Sequence, residues 1–261
     1  MRARSLLPLG LALLVSGPAA HAADGAADAL VAKVVANQAT RGAVIRAKLT
    51  VEESGSDRAA VAQLRIRLRR EATRTRLLFE VLWPDRHKGE AVCLDRSGQG
   101  FVGGFLFAPP DGVTPLVAAD LGRAFLESDL TIEDLADDFW QWPSPRIAGE
   151  ELVRGEACTI VESRPPPGAP GAYALVRSWI SKKKLVPLRI EKTGRDGRPS
   201  KLFTIEKTSR DGGIWVPIST VITSPGGSRR TTLEISRGDR DVDVPAEVFS
   251  RESVAKARRK P

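Results

Sequence analysis

Between Ala62 and Arg69 the chain alternates without a break. Ala62, Leu64, Ile66 and Leu68 point one way, and Gln63, Arg65, Arg67 and Arg69 point the other. A period of two marks a strand with one face in a core and one in water. It also places that strand in an antiparallel sheet, since parallel strands are buried on both faces. The segment before it has the same period, with Ala43, Ile45, Ala47 and Leu49 set against Val44, Arg46 and Lys48. From Arg74 to Trp83 the outer face is only half polar, because Leu78 and Leu82 stand beside Arg76 and Glu80. That strand is therefore covered by something on its second side, or lines an apolar surface.

Further strands are predicted at 88–94, 101–107, 157–162, 173–180, 186–193, 201–208, 215–223 and 231–237. Turn chemistry separates them, as in Asp196-Gly197, Asp211-Gly212-Gly213 and Ser224-Pro225-Gly226-Gly227. Asp28 to Arg41 reads as a helix with Leu30, Val34 and Val35 on one face, stopped at Gly42. Pro115 to Asp138 again has near-helical spacing, through Leu116, Leu121 and Phe125. A short helix is predicted from Pro245, followed by a frayed basic tail over Lys256–Pro261. The expected fold is mainly β (α+β). It is a single curved antiparallel meander or incomplete β-barrel of roughly eleven strands. An N-terminal helix and a helical insert cover its concave face.

Residues 1–22 read as a signal peptide. Arg2 and Arg4 precede an apolar run from Leu6 to Val15, and Ala20-His21-Ala22 is an A-x-A cleavage site. Residues 23–261 are then expected to form one domain, exported to the periplasm through a cleavable leader. The apolar run is shorter than the roughly 20 residues a bilayer span needs. The whole chain carries +8; the leader holds two arginines and no acid, so the mature chain keeps a mild positive surplus. That weakly favours anionic surfaces, and export argues against nucleic acid as partner. Cys93 and Cys158 both sit in predicted strands. An oxidising compartment permits a bridge, and two buried thiols fit as well.

Catalytic constellations are missing from the sequence. The mature chain has one histidine, His87, between Arg86 and Lys88 in a turn, a poor setting for the histidine of a hydrolase, which a buried acid must orient. Gly98-Gln99-Gly100-Phe101-Val102-Gly103 matches the dinucleotide fingerprint literally, but it runs into a strand rather than a helix. Asp239, Asp241 and Asp243 alternate like calcium ligands, without the glycine and distal glutamate of such a loop. The row Arg65, Arg67, Arg69, Arg70, Arg74 and Arg76 contains no aromatic to stack a base. It reads as the solvated convex face of a sheet, or as a docking surface for an acidic membrane or partner. The sequence predicts neither an enzyme nor a cofactor or metal site.

The middle of the chain holds Ser128-Asp129-Leu130-Thr131-Ile132-Glu133-Asp134-Leu135. Thr131 is placed as an N-cap, Asp134 as its capping-box partner, and Leu130 with Leu135 as a hydrophobic staple. The charges of Glu133 and Asp134 suit the positive end of a helix. This stretch resembles the G-S-D-[FY]-[ST]-Y-E-D-L signature of the LolA-like outer-membrane lipoprotein-sorting family. Glu127 replaces the glycine, Leu130 the aromatic and Ile132 the tyrosine. Asp196-Gly197 with Lys201, Trp215-Val216-Pro217, Thr231-Thr232-Leu233, and Asp243-Val244-Pro245 with Phe249 are similar to later family motifs, in the same order.

The resemblance implies an incomplete β-barrel whose concave face, partly covered by helices, holds acyl chains of a lipoprotein or lipid. It further implies an inner-membrane transporter and an outer-membrane acceptor as partners. Alternation then selects Ile45, Leu49, Leu64, Ile66, Leu68, Leu77, Phe79 and Val81 as cavity lining. Trp83, Phe105, Phe107, Leu121, Phe125, Trp179 and Trp215 are expected to close it. Each would serve equally as ordinary core. A non-enzymatic sensor or accessory module that docks an inner-membrane exporter or signalling protein is the alternative.

Overall fold

The computed structural model describes residues 19–97, 100–110, 112–136 and 139–256. The leader up to residue 18, Gly98-Gln99 of the fingerprint match and the tail after Lys256 lie outside them. An N-terminal helix, α1 (Ala19–Asn37), leads into six strands: β1 (Gly42–Glu53), β2 (Ala60–Arg70), β3 (Arg74–Trp83), β4 (Ala91–Ser97), β5 (Gly100–Ala108) and β6 (Gly112–Leu116). After an irregular segment containing α2 (Ile132–Ala136) come β7 (Arg146–Val153), β8 (Glu156–Ser163), β9 (Tyr173–Ser181) and β10 (Pro187–Gly194). Three long strands follow, β11 (Pro199–Asp211), β12 (Ile214–Thr223) and β13 (Arg229–Arg240), then α3 (Arg251–Lys256).

All thirteen strands form one sheet, ordered β6-β5-β4-β3-β2-β1-β13-β12-β11-β10-β9-β8-β7. The chain meanders outward from β1 to one free edge, crosses to the other edge at β7, and meanders back until β13 pairs with β1. Leu49 opposite Leu233 and Ala47 opposite Ile235 join the two halves. The crossing segment, residues 117–145, runs over the concave face from edge to edge. The architecture is thus the expected open antiparallel meander, with two more strands than expected.

The two extra strands are the edges, β6 and β7. β6 contains Pro115, which has no ladder donor, and its five residues are too few to display a period. β7 is exposed along most of its length, Leu152 at 67%. With neither face buried it has no alternation to read. The helical reading of 115–138 was also too generous. Apart from α2, the described part of the crossing holds only 3-10 turns at Ala118–Asp120 and Phe139–Gln141, joined by tight turns. Leu121, Phe125 and Ile132 recur because this segment plugs a trough, and turns can do that as well as helix.

α1 ends four residues before the expected Arg41. Thr40 Oγ1 hydrogen-bonds the Gly42 carbonyl at 2.8 Å and Asp241 at 3.0 Å, which holds the chain at the start of β1. Gly42 is required there, since a Cβ would stand 2.2 Å from the Val242 carbonyl oxygen. Val31 and Val34 of α1 pack with Val161 and Ile180 over the concave side of the second half.

The convex side of the first half is covered by the C-terminal segment, which accounts for Leu78 on that face. Val244, Phe249 and Val254 pack on Leu78, Ala91, Cys93, Phe105 and Phe107. Cys93 and Cys158 are both free and buried, with eight strands between β4 and β8. Burial, with help from Asp95, pushes the Cys93 thiol up to about 12. Replacing Phe249 with alanine uncovers this thiol. Cys93 is expected to label with a maleimide far faster in the variant than in the native protein, and Cys158 to label no faster; mass mapping distinguishes the two.

Candidate functional site

The concave trough is lined by alternate residues of successive strands. Leu49 and Ala47 of β1, Leu64 and Ile66 of β2, Phe79 and Val81 of β3, and Val92 and Leu94 of β4 form one buried cluster. Ile222 belongs to it too, with Phe203, Leu233 and Ile235 packed against it from the second half. The crossing segment inserts Leu121, Phe125, Leu130, Ile132 and Leu135 into the same cluster. Phe125 meets Phe79 edge-on, with ring centroids 6.2 Å apart. Further along, Phe139 and Trp142 cover Tyr173, Val176 and Ile190.

The signature stretch is what ties this strap down. Its capping box forms as the sequence predicts, since Asp134 Oδ2 accepts from the Thr131 amide at 2.8 Å and the Asp134 amide donates to Thr131 Oγ1 at 3.3 Å. Serving a helix end is the lesser task of these acids. Asp129 accepts from Ser224 and Thr231 hydroxyls at 2.9 Å, both in the second half. Glu133 accepts from the Ala172 amide at 2.8 Å. Asp134, wholly buried, pairs with Lys192 at 2.9 Å and Lys201 at 2.5 Å, and accepts from the Tyr173 hydroxyl at 2.8 Å.

Burial pushes the Asp134 carboxyl up, but the two ammonium groups reverse this and hold it well below the usual carboxylate range. Burial, and then Asp134, push the Tyr173 phenol far upward, so it stays a donor. Lys192 also sits 4.8 Å from the Tyr173 ring centre and 4.9 Å from that of Phe203. Leu126 and Glu127, just before the signature, have φ of 51° and 55°. That left-handed conformation is one glycine adopts freely, which accounts for the glycine of the family pattern at position 127.

Open space remains around the strap. One cavity of about 250 Å³ lies where it meets the second half, bounded by Leu130, Leu135, Trp140, Ile190, Phe203 and Ile222 among others. A second, also about 250 Å³, lies at the β4–β6 end beside Phe125 and Leu106. A third, about 160 Å³, opens at the ends of β1 and β2 beside Leu126.

Nine of the fifteen residues expected to hold cargo come together here: Leu49, Leu64, Ile66, Phe79, Val81, Leu121 and Phe125 in the cluster, Ile45 and Leu77 against it. Leu68 shares their face by its register with Leu77. Phe105 and Phe107 belong instead to the convex cluster under the C-terminal segment. The ladder between β4 and β5 shifts register after Asp95 and pairs Leu106 with Val92, so Leu106 faces the trough. Trp179 and Trp215 lie on the convex side of the second half with Cys158 and Leu188. An indole so placed still finds a partner: Trp179 Nε1 donates to Glu151 at 2.8 Å. Trp83 is 46% exposed at the end of β3. Lys192 and Lys201 are the trough's polar anchors. Their inward parity on β10 and β11 was the only signal, and Lys201 was visible solely as part of a family turn.

Five of the six arginines in the convex row pair with carboxylates, and the row as a whole keeps a positive surplus. Arg65 and Arg67 share Glu80, Arg69 and Arg76 share Glu71, and Arg74 pairs with Asp95.

Solved structures share this fold, among them the following three. A DUF1329 family protein from Desulfovibrio piger superposes with a TM-score of 0.81 at 18% identity, over 89% of this chain and 99% of that one. A domain from Vibrio parahaemolyticus, assigned to outer membrane lipoprotein sorting, gives 0.81 at 15% identity over 89% and 99%. A LolA superfamily protein from Nitrosomonas europaea gives 0.70 at 15% over 87% and 98%. No match was found among curated proteins. A family model described as "-like: Uncharacterized protein" matches residues 75–256, well over half the chain. The chain belongs to the family of this model, and its fold is LolA-like. The match begins in β3 and ends with α3, so it takes in the whole strap and both of its anchoring lysines. Among the described residues, no helix is long and apolar enough to cross a membrane.

Proposed function

We propose that this protein is a periplasmic carrier that holds acyl chains of a lipoprotein or lipid in its concave trough, for transport towards the outer membrane. The apolar cavity of about 250 Å³ between the strap and the second half supports this most directly. Its lining is apolar apart from Gln38, Asp134 and Thr220, and it adjoins a strap whose own Leu and Phe side chains occupy the trough as an acyl chain would. Each CH₂ buried there is worth about 0.8 kcal/mol, so tails can be held without charged contacts and without chemistry. The cavity falls just below the roughly 300–1,000 Å³ of sites that enclose a whole drug-sized ligand. Loading with long tails therefore requires the strap to move outward. The docking-module alternative draws less support: the arginine row it would use keeps a positive surplus, but five of its six side chains are held in ion pairs with carboxylates.

Native mass spectrometry of the protein purified from its periplasm is expected to show a bound lipid or acylated species, recovered by solvent extraction. If the protein is empty and a fluorescent fatty-acid probe also fails to bind, the carrier function is wrong.

A further inference from the structure

The third cavity differs from the other two in its rim. Its floor is apolar, made of Leu49, Val51, Ala60 and Leu126, and it runs directly into the main cluster. Around its mouth stand three guanidinium groups, Arg58, Arg86 and Arg229. None of the three takes part in an ion pair among the described residues. Arg229 donates to the Glu127 carbonyl, which leaves its charge unneutralised. This sets them apart from Arg65, Arg67, Arg69, Arg74 and Arg76, each of which has found a carboxylate.

Two carboxylates, Glu53 and Glu127, share the rim, and neither pairs with these arginines. His87 is there too, with Nδ1 held 2.9 Å from Glu90. The rim thus keeps a net single positive charge over an apolar floor. Trp83, next to the rim residue Pro84, is 46% exposed. An indole with one wet end suits a boundary between apolar and polar surroundings.

We infer that this mouth is a headgroup site that takes the phosphodiester of a phospholipid-type cargo while the tails enter the trough. Guanidinium groups bind phosphate oxygens through paired, charge-assisted hydrogen bonds. A phosphodiester carries one negative charge, which matches the rim, whereas a phosphomonoester would carry nearly two. A headgroup here would also lie against Leu126 and Glu127, the left-handed turn at which the strap enters its signature stretch. This inference rests on the carrier function proposed above.

The test compares three probes by calorimetry on the full mature chain: dihexanoyl phosphatidylglycerol, dihexanoylglycerol and inorganic phosphate. The phospholipid is expected to bind about tenfold more tightly than the diacylglycerol, as one or two charge-assisted hydrogen bonds would give. Inorganic phosphate alone is expected to bind weakly, as an anion without tails. In the triple variant Arg58→Ala, Arg86→Ala, Arg229→Ala, the ratio of the two lipid affinities should fall to near one. All three side chains are exposed, so folding is checked by thermal melt, and Arg86→Lys should keep part of the preference. Equal binding of both lipids by the native chain overturns the headgroup site and leaves the carrier function standing. A preference that survives in the triple variant places the site elsewhere and overturns it too. If phosphate alone binds as tightly as the phospholipid, the mouth is a free-phosphate site. Failure of both lipids to bind removes the carrier function and this inference with it.

Discussion

Replacing Asp134 with alanine is expected to lower the stability of the folded chain by about 3–5 kcal/mol, the usual cost of removing one partner of a buried ion pair. The variant would leave Lys192 and Lys201 without their shared carboxylate inside the trough, and the Tyr173 hydroxyl without its acceptor. Denaturant unfolding measures the loss. A structural acid anywhere in the core would give the same number, so a second readout is needed. Asp134 joins the strap to β10 and β11, and its loss should free residues 117–145 before the sheet opens. Limited proteolysis under native conditions is expected to cut the variant within that segment while the native chain resists. Equal protease resistance would mean that the apolar plug alone holds the strap.

The same residue gives the protein an acid sensitivity of known sign. The Asp134 carboxyl is held well below the usual range when folded, whereas an unfolded aspartate titrates near pH 4. As pH falls through about 4, the unfolded chain takes up the proton first. Stability contributed by this group is therefore complete above about pH 4 and declines steadily below it. Thermal melts of native protein and Asp134→Asn between about pH 5 and 2 should converge toward the acid end. Parallel curves would assign the acid sensitivity to other carboxylates.

Both features bear on what could be read in the chain beforehand. Alternation located β1 to β3, because a strand with one wet face must show it, and β2 is the clearest instance; the other interior strands were found as strand-like runs between turn residues. β6 and β7 were illegible for the opposite reason, since an edge strand that buries little needs no pattern. The convex cover was foreseeable in part: Leu78 and Leu82 called for a cover or an apolar surface, but nothing in them named the C-terminal segment. Face assignment failed where the ladder slips, so that Phe105 and Phe107 landed on the side away from Leu106. The capping box of Thr131 and Asp134 could be read from spacing alone. Partners 58 and 67 residues away, Lys192 and Lys201, could not, because their meeting depends on the edge-to-edge crossing, which is a property of the whole sheet.

That crossing also determines the most demanding test of the trough. Phe125 fills its centre, packed on Phe79 and bordering the cavity at the β4–β6 end. Phe125→Ala is expected to destabilise the chain by about 3–5 kcal/mol, as buried phenylalanine truncations do. In an ordinary core that is the whole effect. If the strap occupies space that acyl chains would otherwise take, the truncation also extends an apolar void continuous with the trough, and such voids stay dry and accept apolar guests. About two further methylene groups would then fit, each worth about 0.8 kcal/mol, so a fluorescent fatty acid should bind roughly tenfold more tightly. Stability would fall while affinity rises. A loss of stability with unchanged or weaker binding would make the strap a fixed part of the core and would place any acyl site outside the trough.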